Sequence, residues 1–125
     1  MTVRECYDEL GADFEGVVSR LVTEERVKKF VTKLPKDDSF ERLSTAMAEK
    51  NAEQAFMGAH TMKGIAMNLG LTGLAETASA LTEELRQGSI TPEAGGLFTE
   101  LEKRYRDTVR LIGMLSESGG TAGEQ

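Results

Sequence analysis

Residues 51–70 read Asn51-Ala52-Glu53-Gln54-Ala55-Phe56-Met57-Gly58-Ala59-His60-Thr61-Met62-Lys63-Gly64-Ile65-Ala66-Met67-Asn68-Leu69-Gly70. The spacing of their apolar side chains predicts one helix with two dissimilar faces. At roughly 100° per residue, Ala55, Gly58, Ala59, Met62, Ile65, Ala66 and Leu69 share one side. That is a full core stripe, and its small members let a neighbouring helix approach closely. Asn51 is placed to cap the start, Gln54 stands at the capping-box position, and Gly70 ends the helix as a C-cap glycine. His60 falls nearly opposite the centre of the stripe, with Phe56, Lys63, Gly64 and Met67 around it and Glu53 one turn further out. A solvent-facing surface should be polar there, and this one is mixed. Gly64 in mid-helix costs up to about 1 kcal/mol relative to alanine, so it needs a reason. Clearance for a partner reaching the imidazole is one; close packing of another helix is the other.

Outward from this stretch the signals stay helical, and nothing alternates cleanly enough for a strand. Thr2 to Leu10 forms a short helix stopped by Gly11, and Asp13 caps a second over Phe14 to Val22. Thr23 caps a third, with Glu24 and Glu25 at the positive end of its dipole and Val27, Phe30, Val31 and Leu34 as its stripe. Pro35 to Asp38 interrupts the pattern and Ser39 restarts it, with Phe40, Leu43 and Met47 inward. These two pieces are compatible with one long kinked helix. Beyond Gly70, Thr72 opens a helix with Leu74, Ala78, Leu81 and Leu85 on one side, stopped by Gly88. Thr91-Pro92 starts the last one, which carries Leu97, Leu101, Thr108, Ile112 and Leu115. The expectation is an all-α, antiparallel up-and-down four-helix bundle with short N-terminal helices, one domain over residues 1–115. Residues 116–125 are expected to be a flexible tail.

Composition narrows the function. With 125 residues, 15 Lys+Arg against 21 Asp+Glu and a net charge of −6, the chain has the size of one domain and lacks the basic footprint of a nucleic-acid binder. It shows no apolar run of membrane-spanning length and no charged-then-apolar leader at Met1. One cysteine, Cys6, allows no internal disulfide and fits a reducing cytoplasm. One histidine and one cysteine are too few for a transition-metal site, and no phosphate-cradling glycine loop is present, so neither metal nor cofactor is expected. The run Lys103, Arg104, Arg106 and Arg110, broken by Asp107, reads as a solvated face.

The segment Ala59-His60-Thr61-Met62-Lys63-Gly64-Ile65-Ala66-Met67-Asn68-Leu69-Gly70 closely resembles the signature of histidine-containing phosphotransfer (HPt) domains. These show His, then Lys-Gly three and four residues on, then Gly at the helix end. The likeness runs through Leu85 and more loosely back to Phe14. It implies that His60 is the phosphoacceptor, that Lys63 offsets phosphoryl charge, that Gly64 leaves room for the partner, and that Phe56 and Met67 belong to the docking surface. It further implies a phosphoryl carrier with no catalytic activity alone; a monomer is expected because the core closes without a second chain. Its partners would be receiver domains of response regulators and a hybrid histidine kinase. The receiver would supply the aspartate and the divalent cation. Two positions depart from the family pattern: Met62 replaces the more usual leucine, a swap of similar volume. Met67 stands where a small residue is general, and either enlarges an apolar patch or narrows which partners fit.

A neutral imidazole suits this chemistry, since an accessible histidine near its reference pKa is largely unprotonated at pH 7. Three rival readings remain at this level. A structural bundle would leave His60 incidental, its helix packed on all sides, and an adaptor of the same fold would dock receivers without useful turnover. A hydrolase acting on a receiver would need an acid or amide beside His60, and Asn68 lies too far round the helix to serve. Exposure of the imidazole separates the first rival from the carrier.

Overall fold

A computed structural model describes the backbone of residues 1–123 and the side chains of residues 1–115. Three short helices come first: α1 (Val3–Leu10), α2 (Phe14–Leu21) and α3 (Glu24–Val31). Each start is fixed by its own sequence. The Thr2 hydroxyl accepts from Glu5 N–H while the Glu5 carboxylate accepts from Thr2 N–H. Asp13 accepts from Gly16 N–H and Thr23 from Arg26 N–H. These side chains satisfy amide donors that no helical carbonyl can reach.

A single 3₁₀ turn at Leu34–Lys36 leads to α4 (Ser39–Ala48). Asp37 is extended, with φ −82° and ψ 136°, so α3 and α4 are two helices and not one kinked helix. Pro35 has no N–H to donate to Val31 C=O, and α3 ends at Val31, short of the expected Leu34. Leu34 is still buried, because the turn carries it back onto the core.

The bundle proper consists of α4, α5 (Ala52–Asn68), α6 (Thr72–Leu85) and α7 (Pro92–Gly123). Short connections place consecutive members side by side and antiparallel. Phe40 of α4 stacks on Tyr105 of α7 at 4.2 Å between ring centroids and on Phe98 at 5.7 Å, which closes the ring of four. The core holds the stripes read from sequence, including Val27, Val31, Leu43, Met62, Leu81, Leu85, Leu101, Ile112 and Leu115. Among the described residues no strand occurs. The bounds of α7 run past Leu115, where a tail was expected. The side chains of residues 116–123 and all of residues 124–125 lie outside the described residues.

The end of α5 is held by the N-terminal helices. Gly70, at φ +70°, lets Leu71 N–H reach Ala66 C=O at 2.9 Å and Gly70 N–H reach Met67 C=O at 3.1 Å, the paired bonds of a Schellman ending. The Arg20 guanidinium of α2 donates to the carbonyls of Met67 and Asn68 at 3.1 and 3.0 Å. The buried Tyr7 hydroxyl of α1 donates to Leu69 C=O at 2.6 Å, and Asp13 N–H donates to Gly70 C=O at 2.9 Å. A cation beside the last carbonyls also complements the negative end of the helix dipole.

Removing the Tyr7 hydroxyl leaves a buried carbonyl without its partner, so Tyr7→Phe should lower unfolding free energy by about 1–2 kcal/mol in urea titrations. Burial, and secondarily the neighbouring Cys6, push the Tyr7 phenol above its ordinary pKa of 10.0. The folded chain therefore binds a proton that the unfolded chain releases as pH rises through about 10, and stability must fall from there upward. The Tyr7→Phe variant should show a shallower alkaline slope in thermal melts. Gly70→Ala should be worse, because a Cβ there would lie 2.8 Å from Asp13 C=O and 3.2 Å from Val17 Cβ at a positive φ. The backbone strain alone is worth about 1–3 kcal/mol.

Candidate functional site

The two faces of α5 are distinct in the fold. Ala55, Ala59, Met62 and Ala66 are buried, while His60 is exposed on the opposite side. The small residues of the inner face have the use expected of them. A Cβ on Gly58 would come within 3.1 Å of the Leu43 backbone, so α4 and α5 touch through the missing side chain. The start of the helix is half the expected capping box. Asn51 Oδ1 accepts from Gln54 N–H at 3.1 Å, but Asn51 N–H already donates to Ala46 C=O, so the Gln54 side chain is not used there.

The imidazole lies beside the Phe56 ring, nearly parallel to it, with an interplanar angle of 6° and centroids 6.3 Å apart. The two residues are one turn apart on α5, so their rings lie on the same face. Among the described residues nothing hydrogen-bonds to the His60 ring, and its nitrogens are left to solvent or to a partner. This exposure is incompatible with a helix packed on all sides. Lys63 is half-buried and makes no ion pair within 4.0 Å among the described residues. Gly64 is exposed, and a Cβ built on it meets nothing within 4 Å. Of the two explanations left open for this glycine, close packing of another helix is removed: the chain's own packing does not require it.

Met67 is 56% exposed on the same face. Met57, 54% exposed, extends this apolar surface on the Gly64 side and was not singled out from the sequence. Its position about 60° from His60 around the helix axis was the available signal. A second contribution comes from α6. The Arg86 guanidinium lies 5.1 Å from the centre of the Phe56 ring and makes a two-point bond to the Glu83 carboxylate, at 3.0 and 3.3 Å. Periodicity within α5 says nothing of α6 side chains, so this pair was invisible before folding.

Elsewhere the chain offers less chemistry. Cys6 is fully buried, and burial pushes its thiol up, away from the reactive thiolate. The basic run of α7 is a solvated face, with Arg104 on Glu100, Arg106 on Glu102 and Arg110 near Asp107. Among the described residues no three His, Cys, Asp or Glu side chains gather to hold a metal ion, and no helix is long and apolar enough to cross a membrane.

This combination defines a class: a helical bundle that presents one accessible histidine, with a cation one turn on, across an open glycine. The family model for the Hpt domain matches residues 27–116, and the chain belongs to that family. Hpt domains are phosphotransfer domains of phosphorelay signalling, phosphoryl carriers that meet receiver domains and kinases. Comparison with curated proteins and with solved structures returned no match. The matched span begins inside α3, so α1 and α2, which hold the end of α5, lie outside it.

The two helical glycines of α5 should respond in opposite senses. Gly64→Ala gains helix propensity and meets no neighbour, so it should raise stability by up to about 1 kcal/mol. Gly58→Ala must push α4 outward and should lower the melting temperature by several degrees in calorimetry.

Proposed function

We propose that His60 is the phosphoacceptor of a phosphorelay carrier, taking a phosphoryl group from a receiver-domain aspartate and passing it to another receiver. The observation that carries this reading is the exposed, hydrogen-bond-free imidazole between Lys63 and Gly64 on the outer face of α5. A ring nitrogen attacks phosphorus in line. The P–O bond to the aspartate breaks, and its electron pair returns to the carboxylate. The reverse sequence unloads His60. Such transfer depends on alignment and charge stabilisation more than on covalent assistance from the protein.

In this reading each neighbour has a task. Phe56 sets the plane of the imidazole, Lys63 meets the phosphoryl oxygens, and Gly64 lets the receiver's active site close over the ring. Phe56, Met57 and Met67 form the apolar docking patch, and methionine suits a surface that must fit more than one partner. The receiver brings the divalent cation, and the chain alone turns nothing over. A hybrid histidine kinase stands upstream, and the chain acts as a cytoplasmic monomer.

Phosphoramidate followed by intact-mass spectrometry tests the assignment. The wild-type chain should gain one acid-labile phosphoryl group, and His60→Gln should gain none. Receiver domains with Mg²⁺ should discharge the loaded protein. Lys63→Gln should still load but transfer to a receiver roughly tenfold more slowly, because the phosphoryl group loses the contact that aligns it with the receiver's aspartate. Equal loading of wild type and His60→Gln would sink the proposal, and loading without discharge by any receiver would favour an adaptor.

A further inference from the structure

Glu83 of α6 and Arg86, the residue just past its end, form an ion pair next to the Phe56 ring. Glu83 and Arg86 are both exposed, with 61% and 58% of their side-chain surface in solvent. Their placement is nevertheless specific. Arg86 rests against the Phe56 ring, and that ring lies against His60, so the guanidinium stands one aromatic ring away from the imidazole. The same carboxylate that grips Arg86 is held below the usual range, first by Arg86 and more weakly by Lys63 through space. Arg86 is thus paired directly with Glu83, whereas Lys63 makes no ion pair within 4.0 Å and acts on the same anion only through space.

We infer that Glu83 is a resident counter-ion that competes with the phosphoryl group for Arg86 and Lys63, and thereby shortens the lifetime of phospho-His60. The inference rests on His60 being the acceptor. A phosphoryl group carries roughly two negative charges and offers the fork of a guanidinium the same paired oxygens as a carboxylate. Exposed ion pairs are held weakly, so Arg86 can exchange one anion for the other without disturbing the bundle. Glu83 would then lie beside the phosphoryl group and repel it.

The sign of the effect follows from the bond that breaks. In hydrolysis, water forms a P–O bond as the P–N bond breaks. The electron pair goes to the ring nitrogen, which then takes a proton. In a loose transition state negative charge leaves the phosphoryl oxygens for that nitrogen. Cations on the phosphoryl oxygens consequently favour the loaded state over the transition state and slow its loss. An anion that occupies those cations does the reverse. Glu83 acts through Arg86 and Lys63, so it is a positioning residue.

The test uses the full chain as wild type, Glu83→Gln, Glu83→Asp, Arg86→Gln and the Glu83→Gln/Arg86→Gln double variant. Each is loaded with phosphoramidate, freed of donor, and followed by intact mass. Glu83→Gln should lengthen the half-life roughly threefold or more, and Glu83→Asp should return it toward wild type. The gain should shrink as salt rises from about 0.05 to about 0.5 M, where charges are screened over only a few ångströms. In the Arg86→Gln background most of the gain should vanish. A Glu83→Gln half-life equal to wild type, or an undiminished gain without Arg86, would overturn the inference while leaving His60 as acceptor. Failure of the wild-type chain to load on His60 would instead remove the reading beneath it. Circular dichroism checks that each variant remains helical.

Discussion

The carbonyls at the end of α5 have to be satisfied, and most of what surrounds the site helix follows from how they are. A helix leaves its last four carbonyls without intrahelical donors. Here Leu71 and Gly70 N–H groups take two of them, Arg20 takes Met67 and Asn68, and Tyr7 takes Leu69. Each of these partners requires a particular placement. Gly70 must adopt a left-handed conformation, and α1 and α2 must fold back against α5 before Tyr7 and Arg20 can reach it. The short N-terminal helices, which have too few residues to be stable alone, thus acquire a fixed position. In return they hold the C-terminal end of the helix that presents His60.

With that end held and the Gly58 face locked against Leu43, α5 is rigid on its inner side and open on its outer side. The division is chemical as well as steric. The inner face is mostly alanine and glycine, with Met62 and Ile65 among them, and the outer face holds rings, methionines, a lysine and a glycine with nothing near it. On the proposed function, docking to more than one receiver would use a fixed nucleophile within an adaptable apolar rim. The rigidity belongs to the backbone of α5, and the adaptability to the long side chains of Met57 and Met67. Aromatic contact between Phe56 and His60 links the two regimes, because Phe56 is packed on the core on one side and reaches the imidazole on the other.

The ion pair on α6 adds a polar boundary to this rim. It lies on a neighbouring helix, yet it reaches the site helix through the Phe56 ring. The position of this pair relative to the imidazole is fixed by the packing of α5 on α6.

Local chemistry made much of the fold readable in one dimension. Threonine, aspartate and asparagine at Thr2, Asp13, Thr23, Asn51 and Thr91 mark helix starts because their oxygens reach amide donors two or three residues on, and Gly11 and Gly70 mark ends because they accept left-handed φ. The 3.6-residue period sorted core from surface, and it put His60, Phe56, Lys63, Gly64 and Met67 on one face. Where several interactions compete, the sequence was ambiguous. The break between α3 and α4 depended on how far Pro35 unwinds the chain, and the Asn51 capping box lost one arm to Ala46. Contacts between elements distant in sequence were beyond it altogether. Tyr7 and Arg20 on the end of α5, Arg86 over Phe56, and the emptiness around Gly64 exist only once helices are placed side by side. Helix periodicity is a property of neighbours along the chain, whereas these are properties of neighbours in space. The sequence by itself determined which residues share a face, and the tertiary structure decided what that face meets.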